Sequence, residues 1–251
     1  MKKINLMAHL VASFPNERLS LEAARALVEG GADILEIQLP FSDPSADGPA
    51  IQDACTTVLK SGWRVSDGIR FIKKIRSGFP AVPIYLMSYG SLAYTPGMRN
   101  FCQSAAQAGV GGMIIPDLPF DFDEGLTAAC EEFGMLNIPV ASPSMSEERL
   151  AKMAGAGFRY IYAALRTGIT GTETSIGSET LDFIKKVGAG GSRVYGGFGI
   201  SSGKQSALLA DKVEAVVAGS VFVRTIAANS GDSQKLRRAV SAKAAEICGG
   251  C

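Results

Sequence analysis

Histidine, tryptophan and basic clusters are scarce in this chain. Its 251 residues include one histidine and one tryptophan, and 25 Lys and Arg against 24 Asp and Glu give a net charge of +1. No block of basic residues of the kind that neutralises a nucleic-acid backbone is present, so we expect no nucleic-acid partner. No apolar run approaches the roughly 20 residues that cross a bilayer, so we expect no membrane segment. With a single histidine, we expect no metal centre.

A disulfide framework is not indicated either, because the five cysteines are an odd number. Cys55, Cys102 and Cys130 fall in helical patterns and are typical of buried free thiols in a cytosolic protein. Cys248 and Cys251 form a CGGC stretch, for which we predict a frayed tail rather than a redox or zinc site. The opening MKKINLMAHLVASFP lacks a small-residue cleavage site, so a buried strand is favoured over a signal peptide. A cytoplasmic location is therefore expected.

One local pattern recurs along the chain, in which an amphipathic segment ends in glycine and a β-rich apolar run follows. ALVEGGADILEIQL and KMAGAGFRYIYAAL are two of its occurrences. The glycine is typical of a helix C-cap, and the apolar run is typical of a strand buried on both faces. Helices that alternate with such strands predict βαβ units and a parallel sheet.

About eight strands are predicted from these runs. They lie at 6–12, 34–39, 83–88, 112–115, 137–141, 160–164, 193–196 and 215–218, and a helix from about Ser220 closes the chain. Eight such units in 251 residues predict an α/β fold, a single-domain (β/α)8 TIM barrel that spans residues 1–251. A doubly wound open sheet is the alternative, but no GxGxxG follows the first strand.

Carboxylates gather at the end of the second predicted strand. Glu36 lies inside the apolar run, and Asp43 and Asp47 follow in the loop. An ionised carboxylate inside an apolar barrel is costly without a partner, and burial suits it to general acid/base work. From spacing alone, a salt-bridged or outward-facing strand residue is an equal alternative for Glu36, and loop caps are the alternative for the two aspartates.

Glycine-rich turns follow the seventh and eighth predicted strands, in GGFGISSGKQ and VVAGSVFV. Backbone N–H groups of such turns bind anions, and barrels commonly hold phosphate at these two loops. A turn that only needs positive φ is the alternative for either one alone. The sixth strand runs into LRTGITGTETS (165–175), which we interpret as a lid over a phosphorylated substrate or as a plain flexible loop. Tyr162 and His9, both within strands, are equally explained by core packing.

Five stretches, taken together and in order, resemble one family: LEIQLPFSDPSADGPAIQDA, IIPDLPF, RTGITGTE, GGFGIS and AGS. They are similar to the tryptophan synthase alpha subunit, and the resemblance covers nearly the whole chain. It implies a (β/α)8 barrel that cleaves indole-3-glycerol phosphate to indole and glyceraldehyde 3-phosphate by a retro-aldol step, without metal or cofactor. It also implies an α2β2 complex for tryptophan biosynthesis, in which indole passes to a PLP-containing beta subunit that the alpha subunit activates allosterically.

The same resemblance implies roles for individual residues. Glu36 matches the general acid/base that protonates indole at C3, and Asp47 matches the carboxylate that holds the indole N–H. Tyr162 matches a tyrosine beside the substrate. Asp43 and Pro44 match the surface that faces the beta subunit. The residues that match the lid, the phosphate cradle and its border are Thr170, Gly171, Phe198, Gly199, Gly219 and Ser220.

The chain departs from the family pattern at several positions. Val11 stands where the family usually has a threonine that supports the catalytic aspartate, and His9 replaces a pocket phenylalanine. Gln38 replaces a glycine, so we expect its larger side chain to crowd the pocket. Leu165 replaces a serine at the root of the lid, and Gly90 replaces an asparagine in the loop after the third strand.

Two hypotheses follow. In the first, the chain is an active carbon–carbon lyase of this family. In the second, it is a catalytically impaired alpha subunit retained mainly as an allosteric activator of the PLP-dependent beta subunit, because Val11, Gln38 and Leu165 all depart in one pocket. Loss of supporting groups weakens catalysis without changing a fold. Another phosphate-binding barrel, such as a sugar-phosphate isomerase, is a more distant alternative.

Overall fold

The computed structural model describes residues 3–165 and 176–249 of the chain. Within this part, nine parallel strands form one sheet in the order β5-β4-β3-β2-β1-β9-β8-β7-β6. The strands are β1 Leu6–Val11, β2 Ile34–Gln38, β3 Ile84–Met87, β4 Gly112–Ile114, β5 Leu136–Asn137, β6 Val140–Ala141, β7 Tyr160–Ala164, β8 Arg193–Gly197 and β9 Ala215–Ala218. These bounds agree with the eight predicted strands, except that the fifth is divided into two.

Proline explains the division of the fifth strand. Pro139 stands between β5 and β6 and has no N–H group to donate to a neighbouring strand. The Ile138 N–H still donates to the Met113 carbonyl at 2.9 Å, and the Pro139 carbonyl accepts from the Tyr162 N–H at 2.9 Å. Because β5 pairs with β4 and β6 pairs with β7, this short segment joins the two edges of the sheet. The predicted (β/α)8 barrel is thereby confirmed.

Helices alternate with the strands and cover the outside of the barrel. They are α1 Glu17–Glu29, α2 Pro49–Leu59, α3 Val65–Gly78, α4 Gly90–Tyr94, α5 Met98–Gln107, α6 Leu126–Glu132, α7 Glu147–Ala154, α8 Ser178–Val187, α9 Gly203–Leu209, α10 Ser220–Ala228 and α11 Ser233–Ile247. The prediction of one closing helix from Ser220 was wrong, because α10 and α11 are separate. The Asp232 carboxylate starts α11 by accepting from the N–H groups of Gln234 and Lys235.

Tyrosines fill the barrel interior near the amino ends of the strands. The Tyr85 and Tyr195 hydroxyls lie 3.0 Å apart across the interior, and the Tyr160 and Tyr195 rings stack with centroids 4.9 Å apart. All three side chains are buried. This packed layer closes one end of the barrel, so a pocket is left at the carboxyl ends of the strands, where barrel chemistry is found.

The C-terminal helix is anchored to the start of the chain. The Cys248 carbonyl accepts from the Ile4 N–H at 3.1 Å, and the Cys248 side chain is buried. The prediction of a frayed tail was therefore wrong for Cys248, while Cys251 lies outside the described residues. Cys55, Cys102 and Cys130 are buried free thiols. Within the described residues, no helix combines the length and apolar character that a membrane crossing requires.

Close packing of α1 against α11 depends on glycine at position 30. A Cβ atom on Gly30 would lie 2.5 Å from the Ser241 carbonyl oxygen and 2.7 Å from the Ala244 Cβ. We expect Gly30→Ala to lower the free energy of unfolding by about 1–3 kcal/mol, because backbone must move to relieve the overlap. Gly78→Ala is the matched control, since a Cβ there meets no atom within 4 Å, and it should raise stability slightly. Urea unfolding of both variants tests this, and equal stabilities would contradict it.

Candidate active site

One pocket at the carboxyl ends of the strands gathers most of the residues singled out from the sequence. Its lining residues come from β1, β2, β3, β4, β6, β7, β9 and the loops between them: His9, Glu36, Ala46, Asp47, Ile51, Met87, Ile114, Pro116, Val140, Tyr162, Phe198, Gly199, Val217, Gly219 and Ser220. Thr170 and Gly171, the predicted lid and cradle residues, lie outside the described residues. Asp43 and Pro44 lie in the β2–α2 loop and line a separate surface depression beside α2.

Strand register brings Glu36 next to His9. β1 and β2 are parallel neighbours, and His9 is the direct partner of Glu36 in the ladder. Both side chains point to the same face, which here is the barrel interior. His9 Nδ1 lies 3.4 Å from Glu36 Oε2, and the two residues are only 5% and 4% exposed. Glu36 therefore faces inward and lies beside an imidazole, which excludes an outward-facing strand residue at this position.

The charge of the carboxylates acts on His9. Burial opposes protonation of the imidazole, but the negative charges of Glu36 and Asp47, together with the Gln38 side chain, outweigh it and raise the pKa of His9 above its ordinary value of 6.5. The charged form of the imidazole is thus favoured more than in an isolated histidine. A positive group beside Glu36 offsets part of the cost of burying that carboxylate.

Asp47 is buried and held by two donors at one oxygen. Gln38 Nε2 donates to Asp47 Oδ2 at 2.8 Å, and the Tyr89 hydroxyl donates to the same oxygen at 2.7 Å. Burial raises the pKa of the Asp47 carboxyl, while the neighbouring His9 and these two hydrogen bonds act in the opposite direction. Such bonds to a charged acceptor are among the stronger ones in proteins and also fix the side-chain orientation.

Tyr89 also fixes the backbone beside the aspartate. Its hydroxyl oxygen accepts from the Ala46 N–H at 3.2 Å, and its ring stacks on Phe41 with centroids 5.1 Å apart. The Gln52 amide of α2 donates to the Asp47 carbonyl at 2.8 Å. Three contacts therefore fix the loop that carries Asp47: the hydrogen bond between Ala46 and Tyr89, the stacking of Phe41 on Tyr89, and the hydrogen bond from Gln52. Sequence analysis missed Tyr89, although an aromatic residue directly after the third strand was a signal that could have found it.

The sequence predicted that Gln38 enters the pocket, but its side chain lies elsewhere. Its side chain is fully buried and is not part of the pocket lining. The side-chain amide lies behind Asp47, with Nε2 also 3.7 Å from Cys55 Sγ. The expected crowding was wrong, because a strand residue two positions after Glu36 can reach sideways under the following loop. Gln38 supplies Asp47 with the donor that Val11 cannot offer.

Leu165 and Gly90, two further positions where we expected a departure from the family pattern, lie away from the lining. Leu165 is buried in the layer between the strands and the helices, close to Gly196, and does not line the pocket. At Gly90, the backbone N–H donates to the Asp117 carboxylate at 2.9 Å, and a Cβ would meet the Leu118 side chain at 3.0 Å. Glycine at position 90 therefore allows the loops after β3 and β4 to pack closely.

Aromatic side chains form one wall of the pocket. Tyr162 and Phe198 meet edge to face with ring centroids 5.9 Å apart, and Phe198 has a φ of 78°. Burial, followed by the charges of Glu36 and Asp47, raises the pKa of Tyr162 well above 10. Its phenol is therefore neutral across the physiological range, and the wall offers a flat apolar surface with one hydroxyl.

Backbone N–H groups lie where β9 leads into α10. Gly219 is the N-cap of α10 and Ser220 its first residue, and both line the pocket. The first N–H groups of a helix have no carbonyl partner in a preceding turn, so the start of a helix can bind an anion. A Cβ on Gly219 would already touch the His9 ring at 3.4 Å, so glycine keeps this end of the pocket open. This wall is suited to an anion.

The turn after β8 helps to shape the pocket, but two of its N–H groups already donate hydrogen bonds within the turn. Gly199 has a φ of 85°, which favours glycine. Gln205 Nε2 donates to the Gly199 carbonyl at 3.0 Å, while Gln205 Oε1 accepts from the N–H groups of Ser201 and Ser202. Those amides are thus occupied, and α10 is the better source of donors. Over residues 3–165 and 176–249, no cluster of three or more His, Cys, Asp or Glu is arranged to hold a metal.

Known proteins with similar sequences and structures agree on one family. The family model described as tryptophan synthase alpha chain matches residues 1–248. A tryptophan synthase alpha chain from Helicobacter hepaticus is 35% identical, with 92% of this chain and 89% of that protein covered. A tryptophan synthase structure from Mycobacterium tuberculosis has a TM-score of 0.86 at 31% identity and covers 98% of this chain and 93% of its own. A tryptophan synthase complex from Pyrococcus furiosus has a TM-score of 0.84 at 29% identity and covers 99% of this chain and 100% of its own.

The double role of the Tyr89 hydroxyl predicts a stability effect. Tyr89→Phe removes a donor to Asp47 and an acceptor for Ala46, so we expect the free energy of unfolding to fall by about 1–3 kcal/mol at neutral pH. The difference should shrink as the pH is lowered, because the Tyr89 bond favours the ionised Asp47 and loses that preference once the carboxyl is protonated. Tyr94→Phe, at a residue that is 66% exposed, is the control and should change stability by less than about 0.5 kcal/mol. Denaturant unfolding across pH measures both, and equal effects of the two variants would contradict the assignment.

Proposed function

The chain belongs to the tryptophan synthase alpha chain family, and from this membership and the pocket we propose that it cleaves indole-3-glycerol phosphate to indole and glyceraldehyde 3-phosphate. The observation that carries the proposal is the meeting of two buried carboxylates, Glu36 and Asp47, in one pocket that the N-terminus of α10 also lines. A substrate with an aromatic ring at one end and a phosphate at the other fits this division. The role in tryptophan synthesis follows from the family.

Asp47 is proposed to bind the indole nitrogen. Its carboxylate is fixed by Gln38 and Tyr89 on Oδ2, which leaves Oδ1 to accept the indole N–H. Protonation of the ring at C3 places positive charge on that nitrogen, and a preorganised carboxylate stabilises the charge most where water is excluded. The ring itself would lie against the aromatic wall formed by Tyr162 and Phe198.

Glu36 is proposed to move the protons. One proton must reach indole C3, and one must leave the hydroxyl on the carbon attached to it. The carbon–carbon bond then breaks, its electron pair passes to the indole ring, and the hydroxyl carbon becomes the aldehyde of glyceraldehyde 3-phosphate. The two proton transfers balance, so one acid/base group can serve both. Glu36 is the buried carboxylate of the pocket that remains once Asp47 is assigned to the nitrogen.

The phosphate end is proposed to lie on the start of α10. The N–H groups that follow Gly219 and the partial positive charge of the helix N-terminus both favour an anion, and Gly199 completes the wall. Thr170 and Gly171 keep their sequence-based assignment to the lid and cradle as part of the proposal. The distance between the two walls would fix the substrate with its reacting carbon beside Glu36.

A beta subunit is proposed as the partner, in an α2β2 complex. The solved relative from Pyrococcus furiosus is a tryptophan synthase complex. Asp43 is exposed beside the buried Pro44, and two large apolar side chains in the segments that follow β3 and β4, Tyr94 and Phe122, are 66% and 77% exposed. Exposed apolar side chains that lie together at one end of a barrel would mark a protein interface. These residues are proposed to form part of that surface.

The hypothesis of a catalytically impaired activator is not favoured. The family points to the lyase, and the contacts in the pocket point the same way. Gln38 and Tyr89 both donate to Asp47, so the absence of a threonine at Val11 does not leave the aspartate unsupported. Leu165 lies behind the strands rather than in the pocket. No contact within the described residues requires attenuated activity.

The lyase is tested by an indole-release assay on wild type and Glu36→Gln, each with and without a beta subunit. We expect indole from the wild type, faster with the partner, and a loss of at least about 10²-fold in the variant, because the amide cannot transfer a proton. Thermal unfolding of the variant serves as the folding control. Unchanged activity of Glu36→Gln would exclude the proposed role, and a wild type that releases no indole in either condition would exclude the lyase.

The role of Gln38 predicts a shift in pH dependence. Cleavage requires ionised Asp47, so the rate should fall on the acid side as that carboxyl takes up a proton. Gln38→Leu removes a bond that lowers the pKa of Asp47, so the acid limb of kcat/KM should move to higher pH. Gln52→Leu is the matched control, because Gln52 donates only to the Asp47 backbone carbonyl, and its acid limb should stay in place. Coincident profiles of the two variants would contradict the assignment.

A further inference from the structure

His9 is the one histidine of the chain, and the mechanism above gives it no task. It lines the pocket, is 5% exposed and has Nδ1 3.4 Å from Glu36 Oε2. A polar aromatic ring in this position is not required for packing, since an apolar ring would fill the same space without the cost of burying two nitrogens. Its contact is made with the carboxylate that moves protons in the proposed reaction.

The surroundings of His9 are negative. The ionisable groups that share the pocket with it are Glu36 on β2, Asp47 in the following loop and the neutral phenol of Tyr162 on β7. β9, the other neighbour of β1, has no ionisable side chain over Ala215–Ala218. A positive charge on the imidazole is thus stabilised by the two carboxylates, and no other cationic side chain among the described lining residues of this pocket repels it.

Gln38 completes the environment of the imidazole. His9 Nε2 and Gln38 Oε1 are both buried without a hydrogen-bond partner among the described residues, and the Gln38 side chain favours the charged form of His9. A protonated ring carries a hydrogen on both nitrogens, so the buried Nε2 becomes a donor. The Gln38 side chain thus acts on His9 in the same direction as the two carboxylates.

We propose that His9 is a positioning residue for the cleavage, which shares one proton with Glu36 and keeps that proton available to the substrate. The inference rests on the proposed function. An isolated glutamate is ionised at neutral pH and has no proton to give. The pair holds one proton there, donates it through Glu36 to indole C3, and regains one from the substrate hydroxyl as the carbon–carbon bond breaks. No proton is gained or lost over the cycle, and no other reactant is needed.

The single histidine allows a direct measurement. NMR titration of the imidazole in the full chain should give a pKa above 6.5 in the wild type, and in Glu36→Gln that pKa should fall by roughly one unit or more, because one of the two carboxylates is removed. An imidazole that titrates at or below 6.5, or one that is unaffected by Glu36→Gln, would overturn the proposal. This measurement needs no enzyme activity and no variant at position 9.

Kinetic measurements distinguish a proton shared by His9 and Glu36 from a His9 that only orients the Glu36 side chain. His9→Asn keeps an N–H donor near the Nδ1 position but carries no mobile proton, and His9→Phe keeps only the ring. We expect both to lower kcat for indole formation by about 10²-fold, with KM changed much less. In the wild type, loss of the shared proton at high pH should lower the rate and give the pH profile an alkaline limb. Both variants should lack that limb. An Asn variant with wild-type kcat and an unchanged alkaline limb would show that His9 serves only as a structural donor.

The two failures are distinguishable. A wild type that releases no indole overturns the proposed function, and the NMR titration then still decides whether His9 and Glu36 share a proton. A wild type that is active while His9→Asn matches its kcat and pH profile overturns only the role of His9. Circular dichroism at the assay temperature identifies any variant that fails to fold. If the variants at position 9 fail, the NMR titration of wild type and Glu36→Gln decides between a shared proton and its absence.

Discussion

Two carboxylates buried in one barrel are the constraint on which the rest of this site depends. Glu36 and Asp47 are each less than 5% exposed, and ionised groups in such surroundings persist only where donors or opposite charge face them. His9 faces Glu36, while Gln38 and Tyr89 face Asp47. The set is built from β1, β2 and the loops that follow β2 and β3, so it forms only when these segments pack together. Stability and reactivity here rest on the same contacts.

The two carboxylates are supported in different ways, and the difference matches their proposed tasks. Asp47 receives two fixed hydrogen bonds at one oxygen, which suits a group that must hold a ring nitrogen without moving. Glu36 instead faces a titratable imidazole, which suits a group that must give and take a proton. A polar residue in place of an apolar or small one is often taken to weaken a site. Here His9 faces Glu36 and Gln38 donates to Asp47, so each of the two supports a carboxylate in the role proposed for it.

The fold was foreseen well because its signals are local. Apolar runs marked each strand to within one or two residues, and a glycine C-cap preceded several of them, since both features depend only on nearby sequence. Two of the errors have local causes that were overlooked, and the third has a distant one. Pro139 divides the fifth strand because it lacks an N–H group, and Asp232 starts a new helix where one continuous helix was predicted. Cys248 was assigned to a frayed tail because its anchor, Ile4, is distant in sequence.

The sequence by itself determined the alternation of strands and helices, the carboxylates at the end of the second strand and the glycine-rich turns at the last two, because composition and period carry that information. Only the tertiary structure decided what those carboxylates face. The His9–Glu36 pair depends on the register of β1 against β2, and the reach of Gln38 and Tyr89 to Asp47 depends on how the loop folds over the barrel end. Register and loop path are set by packing across the whole barrel, and no short stretch of sequence contains them.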